Sequence, residues 1–218
     1  LAYDVMHKIA RKDKFEISGK GKMNAVQVLM DMVVAPEFWR SQKIILIREK
    51  SVQQILGIND NYASFLDFFD ANREYKLQKY VEEAFRKKQS TQNRFDKEII
   101  KVDERLNIFS MAFKGSMFKM FPEQGSPNHK WISWDEKAAT IPITGVMNAA
   151  NEELKLNPFS YATIMVAYFT EVLNSTQSGD YSKAARIRNL IGNIQRNSES
   201  RELLASEGKI KVEILYNE

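Results

Sequence analysis

Apolar residues recur at steps of three and four through most of the chain, which is the signature of helices that bury one face. Val5, Met6, Ile9 and Ala10 predict a short amphipathic helix at the start. The stretch SGKGKMNAVQ then reads as a turn, with Asn24 as N-cap of a second helix whose face is Val26, Leu29, Met30 and Val33, stopped at Pro36. Phe38 and Trp39 predict a helical turn that covers the core. KIILIRE is the best strand candidate, although four consecutive apolar residues are equally compatible with a buried helix. Ser51 is placed to cap a helix over Val52 to Leu56 that ends at Gly57, and Asn61 to Asp70 reads as aromatic-rich helix.

The strongest periodic signal runs from Glu74 to Lys119. Leu77, Val81, Ala84 and Phe85 form its first half, and Phe95, Ile99, Val102, Leu106, Phe109 and Phe113 resume the stripe. Between the halves lies RKKQSTQNR, polar on every face. One continuous helix would be about 60 Å long at 1.5 Å per residue; a helix pair turning near Ser90 is the alternative. With Asn93 as the one strong breaker, the pattern favours a single helix or two nearly collinear ones.

Three of the five prolines fall between Met117 and Thr144, predicting an irregular segment. Asn157-Pro158 then reads as N-cap and first residue of a helix with the face Phe159, Ala162, Met165, Phe169, Val172 and Leu173. Asp180 is placed to cap a following helix that buries Tyr181, Ala184, Ala185, Ile187, Leu190, Ile191 and Ile194. The tail SEGKIKVEILYNE fits helix or strand, with Ser206 as cap and Ile210 and Ile214 on one helical face. The expected fold is mainly α: an irregular helical bundle with a long central helix or helix pair, a loop-rich segment near 117–144 and a C-terminal antiparallel helix pair, with little or no β structure. It reads as one domain over 1–218, with a subdivision at 145/146 as the alternative.

Composition narrows the function. A 44% hydrophobic share supports a folded chain, and the longest apolar runs, such as YATIMVAYF, fall short of the roughly 20 residues that cross a bilayer. The piece is therefore expected to be soluble; it begins at Leu1 without Met and shows no signal peptide, as if taken from something longer. The net charge of +4 is spread through alternating acids and bases, as in DKEIIKVDER, a solvated helix surface more than a nucleic-acid footprint. The basic N-terminal stretch to Asn24 is the main exception. With no cysteine, disulfides, thiolate zinc sites and cysteine nucleophiles are excluded. His7 and His129 are remote in sequence and neither has a partner at metal-ligand spacing, so no metal site is expected. Phosphate-cradle and nucleophile-elbow strings are missing. Acidic pairs such as Asp67/Asp70, Asp103/Glu104 and Glu152/Glu153 sit among basic neighbours, as solvated charge does. No catalytic residue is assigned.

The one candidate for cofactor binding is SPNHKWISWDE. His129, Trp131 and Trp134 together could lie over a flat ligand. The structural reading has Trp131 anchoring the loop to the core, Trp134 opening a helical turn, and Ser133 with Glu136 forming a capping box. That reading is preferred.

Four strings taken in order, KVDERLNIFSMAFKGSMFKMFP, PNHKWIS, SGDYSKA and KVEILYNE, carry a family likeness. The chain resembles the extracytoplasmic soluble region of System II cytochrome c biogenesis proteins of the fused ResB–CcsA type, which are cytochrome c synthases. The resemblance implies a polytopic inner-membrane parent that exports haem and attaches it to CxxCH motifs of apocytochromes outside the membrane. It implies a periplasmic position for this region, with apocytochrome c and the membrane-embedded parts of the same protein as partners and no nucleic acid. WISWDE resembles the family's tryptophan-rich haem segment but lacks its glycine/tryptophan pattern. The haem-handling role is therefore not carried over to His129, Trp131 or Trp134. No cofactor is expected bound to this region, and haem is handled by the parent. The region is expected to be a non-catalytic scaffold or apocytochrome-docking module. Direct haem contact through His129 or His7, and a basic nucleic-acid-binding domain, are the alternatives. The lack of cysteine suits a place where the substrate's thiols must stay free of mixed disulfides.

Overall fold

A computed structural model describes residues 1–123, 125–143, 154–196 and 206–217. Its contacts divide into two compact units, Leu1–Gly115 and Ser116–Glu218. The 145/146 boundary, the Glu152/Glu153 pair and the side chains of Ile210 and Ile214 lie outside the described residues.

The first unit opens with α1 (Ala2–Ala10), which buries the four expected residues Val5, Met6, Ile9 and Ala10. The predicted turn is a tight antiparallel hairpin, β1 (Lys14–Ile17) and β2 (Gly21–Asn24), with Phe15 and Ile17 facing inward. Gly19 and Gly21 take φ of +80° and +76°, conformations that a residue with a Cβ adopts only under strain. Asn24 then caps α2 (Ala25–Val34): its Oδ1 accepts from the Gln27 N–H at 2.9 Å, and Gln27 Oε1 accepts from the Asn24 N–H. The buried face of α2 is Ala25, Val28, Leu29 and Met32, while Val26 and Met30 are exposed. The expected face was rotated because VQVLMDMVV is apolar nearly all round, so periodicity alone cannot choose the side.

Trp39 lies in α3 (Pro36–Arg40), fully buried, with its Nε1–H donating to Asp31 Oδ2 at 2.7 Å. That bond satisfies the one polar atom of the indole. All four residues from Ile44 to Ile47 are buried, but only β3 (Ile45–Leu46) is strand, paired antiparallel to β4 (Tyr62–Ala63). The predicted helix over 61–70 is therefore not formed. In its place Asp67 accepts from both the N–H and the Oγ–H of Ser64, at 2.7 and 2.8 Å, closing a turn around the 3-10 segment Leu66–Phe68. Between the strands, α4 (Lys50–Leu56) begins after Glu49, not Ser51, and stops at Gly57 as expected.

The continuous or collinear helix over 74–119 is also corrected. Two helices form, α5 (Gln78–Arg86) and α6 (Arg94–Lys114), and they pack against one another. The polar waist is a built break. Asn93 Oδ1 accepts from the Asp96 N–H at 2.8 Å and Asp96 Oδ2 accepts from the Asn93 N–H at 2.9 Å, which starts α6 afresh. Gln92 Nε2 donates to the Ala84 carbonyl at 3.1 Å, which also accepts from the Lys87 N–H at the end of α5. The Lys87 ammonium beside Asp96 at 2.7 Å, together with the Asn93 N–H, holds that carboxyl below its ordinary range. Phe85 is exposed, so of the expected stripe only Leu77, the residue before α5, and Ala84 within it are fully buried.

α6 is the axis of this unit. Helices α1 to α5 and strand β3 all contact it. Its inward stripe is Ile99, Val102, Leu106, Phe109 and Ala112, four of the five fully buried. Burying one such large side chain is worth about 1.5–3 kcal/mol. Phe65 lies parallel to Phe109 at 5.8 Å and edge-on to Phe113 at 5.2 Å, covering the last turns of α6.

The second unit holds the irregular segment and the helix pair. β5 (Phe121–Pro122) and β6 (Trp131–Ile132) form a short antiparallel ladder. Helix α7 (Tyr161–Ser178) is capped by Ser160, whose Oγ accepts from the Thr163 N–H at 3.3 Å; Asn157 is not the cap and Pro158 lies outside the helix. Asp180 Oδ1 accepts from the Ser182 N–H at 2.9 Å at the head of α8 (Ser182–Arg196), which buries Ala184, Ile187, Leu190, Ile191 and Ile194. The expected C-terminal helix pair, α7 with α8, is formed and in contact. Tyr161 stacks on Phe121 at 4.5 Å, and Gln195 Nε2 donates to the Met120 carbonyl at 2.9 Å, so both helices are tied to the hairpin. The tail forms α9 (Glu207–Asn217), with Ser206 Oγ accepting from the Lys209 N–H. No described helix is long and apolar enough to cross a membrane.

Candidate functional site

The segment that sequence singled out, 126–136, is the return strand of the β5–β6 hairpin and the turn on either side of it. Its turn is held by backbone bonds. The Glu123 N–H donates to the Lys130 carbonyl at 2.8 Å, and the His129 N–H donates to the Ser126 carbonyl at 3.2 Å. His129 sits at φ 48°, a left-handed position beside the closing residue Lys130, with its side chain exposed.

The anchor of the loop is Trp134 and not the expected Trp131. Successive residues of a strand point to opposite faces. Ile132 is fully buried, so its neighbour Trp131 is turned outward and is half-buried. Trp134 is the anchor: it stacks on Phe118 at 5.5 Å and meets Phe169 edge-on at 5.5 Å, against the core of α7 and α8. The anchor was expected at Trp131 because the strand was not foreseen. Trp134 is thus committed to packing, leaving His129 and Trp131 as the accessible members of the trio.

Beneath the turn runs an ion network. Glu136 accepts from Lys119, from the Ser133 N–H at 3.0 Å and from the Ser133 Oγ–H at 3.2 Å. Lys130 Nζ lies 3.4 Å from both Glu123 and Glu136. The Lys119 ammonium first, and then the Ser133 amide, hold the Glu136 carboxyl down to about 2. The Glu123 carboxylate correspondingly pushes Lys130 up. The capping box is half made. The Ser133 N–H donates to the Glu136 carboxylate, but the Ser133 hydroxyl donates to Asp135 and Glu136 in place of accepting from the backbone. This network fastens the turn; its carboxylate is kept ionised, which is unsuited to proton transfer near neutral pH.

A second feature was not foreseen. In the first unit a cleft of about 400 Å3 is lined by Arg48, Glu49, Arg94, Lys97, Glu98 and Lys101. Positions 94, 97, 98 and 101 fall on one face of α6 by helical spacing, and the chain leaving β3 supplies Arg48 and Glu49 opposite. A buried ion pair sets the wall. Arg105 Nη1 lies 3.2 Å from Glu98 Oε1 and donates to the Leu46 carbonyl at 2.7 Å, while Glu98 Oε1 accepts from the Arg48 N–H at 3.1 Å. The signal was present in RFDKEIIK, but it reads as solvated charge until the Arg48 side of the cleft is known.

His7 lies on the exposed face of α1, remote in sequence from His129 and in the other unit. Among the described residues no group of three or more His, Asp or Glu could hold a metal ion.

No protein-family model matches the chain. The chain is similar to Protein NrfI of Wolinella succinogenes, with 33% identity over 216 residues, 97% of this chain. It spans 22% of the length of that relative. The matched span therefore runs through both units. Together with the resemblance carried by the strings PNHKWIS and SGDYSKA, this places the chain: it corresponds to part of an NrfI-like protein of the fused ResB–CcsA type.

Proposed function

We propose that this chain is an extracytoplasmic, non-catalytic module of a membrane-bound protein that attaches haem to apocytochrome c, and that it docks the apocytochrome. The observation that carries this reading is the 33% identity to NrfI over 97% of the chain. Membrane-embedded parts of the same protein are its other partner, and they, not this module, handle the haem. Nucleic acid is not a partner.

The geometry is consistent with this division of labour. Trp134 is used in packing, and Glu136 is fixed as an ionised strut. His129 and Trp131 stand on an exposed hairpin, suited to touching a polypeptide. A flexible apocytochrome presents backbone and side chains to such a surface, whereas the folded cytochrome does not.

The test compares binding of the 218-residue chain to an apocytochrome c and to its haem-loaded, folded form by isothermal titration calorimetry. Saturable binding of the apo form, at least tenfold tighter than the holo form, is expected. Equal affinities, or no binding of either, overturn docking. Titration of haem into the same chain separates the alternative. No Soret shift that depends on His129 is expected; a shift abolished by His129→Ala would make this a haem-contacting module.

A further inference from the structure

The cleft between α6 and the end of β3 has a charge arrangement that the fold does not need. Arg94 is neutralised by Glu49, and Glu98 by Arg105. Arg48, Lys97 and Lys101 remain, with no carboxylate within 4 Å among the described residues. Lys97 and Lys101 are one turn apart, where like charges repel. Arg94 stands in the first turn of α6, where the helix macrodipole disfavours cations. Local conflicts of this kind are expected at functional or strained positions.

The same wall carries the opposite need. Glu49 Oε2 is buried and lies 2.8 Å from Arg94 Nε, yet the contact is not aligned as a hydrogen bond and no donor satisfies that oxygen. A buried carboxylate oxygen without a donor is costly. The ligand that suits this cleft therefore brings several negative charges and at least one N–H donor. Positions 94 to 101 span about 10 Å along the helix at 1.5 Å per residue, close to three residues of extended chain at 3.3 Å each. Phosphate, free or on a lipid, offers acceptors and a single charge centre; an acidic peptide offers spaced carboxylates together with backbone N–H groups.

We propose that this cleft is a docking site for an extended acidic polypeptide segment, its carboxylates reaching Arg48, Lys97 and Lys101 and a backbone N–H reaching Glu49. The Arg105–Glu98 pair is a positioning element, since it fixes the backbone of Arg48 against α6. The inference stands apart from the apocytochrome reading, because it names the chemistry of the segment and not the protein that carries it.

The probe is a fluorescein-labelled peptide alternating glutamate and glycine over ten residues, titrated with the 218-residue chain and read by anisotropy. Binding that weakens steeply with salt is expected, and Lys97→Gln with Lys101→Gln together should weaken it about tenfold, the scale of two exposed charge pairs. Both side chains are exposed, so the fold is retained, which circular dichroism checks. Glu49→Leu tests the donor requirement separately: it leaves the peptide N–H no acceptor while freeing Arg94 for either anion, so peptide affinity should fall relative to affinity for inorganic phosphate. No peptide binding, peptide binding unaffected by the lysine changes, tighter binding of phosphate than of peptide, or binding to phosphatidylglycerol vesicles in place of the peptide would each overturn the proposal.

Discussion

The buried pair Glu98–Arg105 offers the sharpest energetic test of the first unit. Both side chains are nearly out of water, at 10% and 6% exposure. Glu98→Ala removes the counter-charge and leaves the Arg105 guanidinium buried with only the Leu46 carbonyl; an uncompensated buried charge costs about 3–5 kcal/mol. It also strips the acceptor from the Arg48 N–H. Arg105→Met leaves the Glu98 carboxylate with that N–H alone, at a similar cost. The double variant Glu98→Leu/Arg105→Met buries no charge. It still orphans the Leu46 carbonyl and the Arg48 N–H, so its loss should be about 2 kcal/mol, far below the sum of the singles. The coupling is then several kcal/mol, as expected for groups in direct contact. Urea unfolding of the three variants and the parent, followed by far-UV circular dichroism, measures it. Two transitions are to be fitted if the units unfold separately. Additive losses within about 0.5 kcal/mol, or a Glu98→Ala loss below about 1 kcal/mol, would refute the pairing and the wall of the cleft that rests on it.

Three further outcomes follow from local geometry. Asn93→Ala should cost about 1 kcal/mol, the usual worth of an N-cap, seen as a lower urea midpoint with an unchanged slope; no loss would mean that α6 does not start there. Trp134→Ala should destabilise the second unit by about 3 kcal/mol, and Trp131→Ala by less than about 1 kcal/mol, because only the former is packed between two aromatic rings; the reverse order in thermal melts would restore the tryptophan roles read from sequence. The Glu136 carboxyl is held below its ordinary value of 4.5, at about 2, so its contribution is fully present above pH about 4.5 and is lost as pH falls through about 2. Acid unfolding of the second unit, read by near-UV circular dichroism of Trp134, should therefore flatten in Glu136→Gln, and an unchanged acid transition would remove the strut.

Which parts of this were legible in the sequence depended on how much of each decision was local. Caps and glycine stops were, because Asn24, Asp180 and Gly57 act within a few residues of themselves. The inward face of α1 was also legible, and so was that of α8 apart from Tyr181, which is exposed, and Ala185, which is half-buried, since their apolar stripes are narrow and flanked by charge. The face of α2 was not, because a helix that is apolar all round takes its orientation from neighbours distant in sequence. The break between α5 and α6 was signalled by Asn93 but outweighed by the continuous stripe. The Asn93–Asp96 box and the Gln92 bond to Ala84 decide it, and both are side-chain geometries. In the candidate site, His129 was placed correctly on a turn, but the alternation imposed by β6 made Trp134 the anchor in place of Trp131. The cleft was invisible because half of it comes from Arg48 and Glu49, some fifty residues before Glu98 and Lys101. The family itself was readable from strings that span both units, and the likeness to NrfI extends over nearly the whole chain.

The central claim is that this module receives apocytochrome c while haem is handled elsewhere in the protein. Its most direct test is photo-crosslinking in cells that are maturing c-type cytochromes, with benzoylphenylalanine placed in the full-length protein at Trp131 and, as a control, at Phe85, an exposed aromatic of the first unit outside both candidate sites. The account predicts an adduct with haem-free cytochrome polypeptide at Trp131 and little at Phe85. No cytochrome adduct at Trp131, together with haem retained by the purified 218-residue chain, would contradict it.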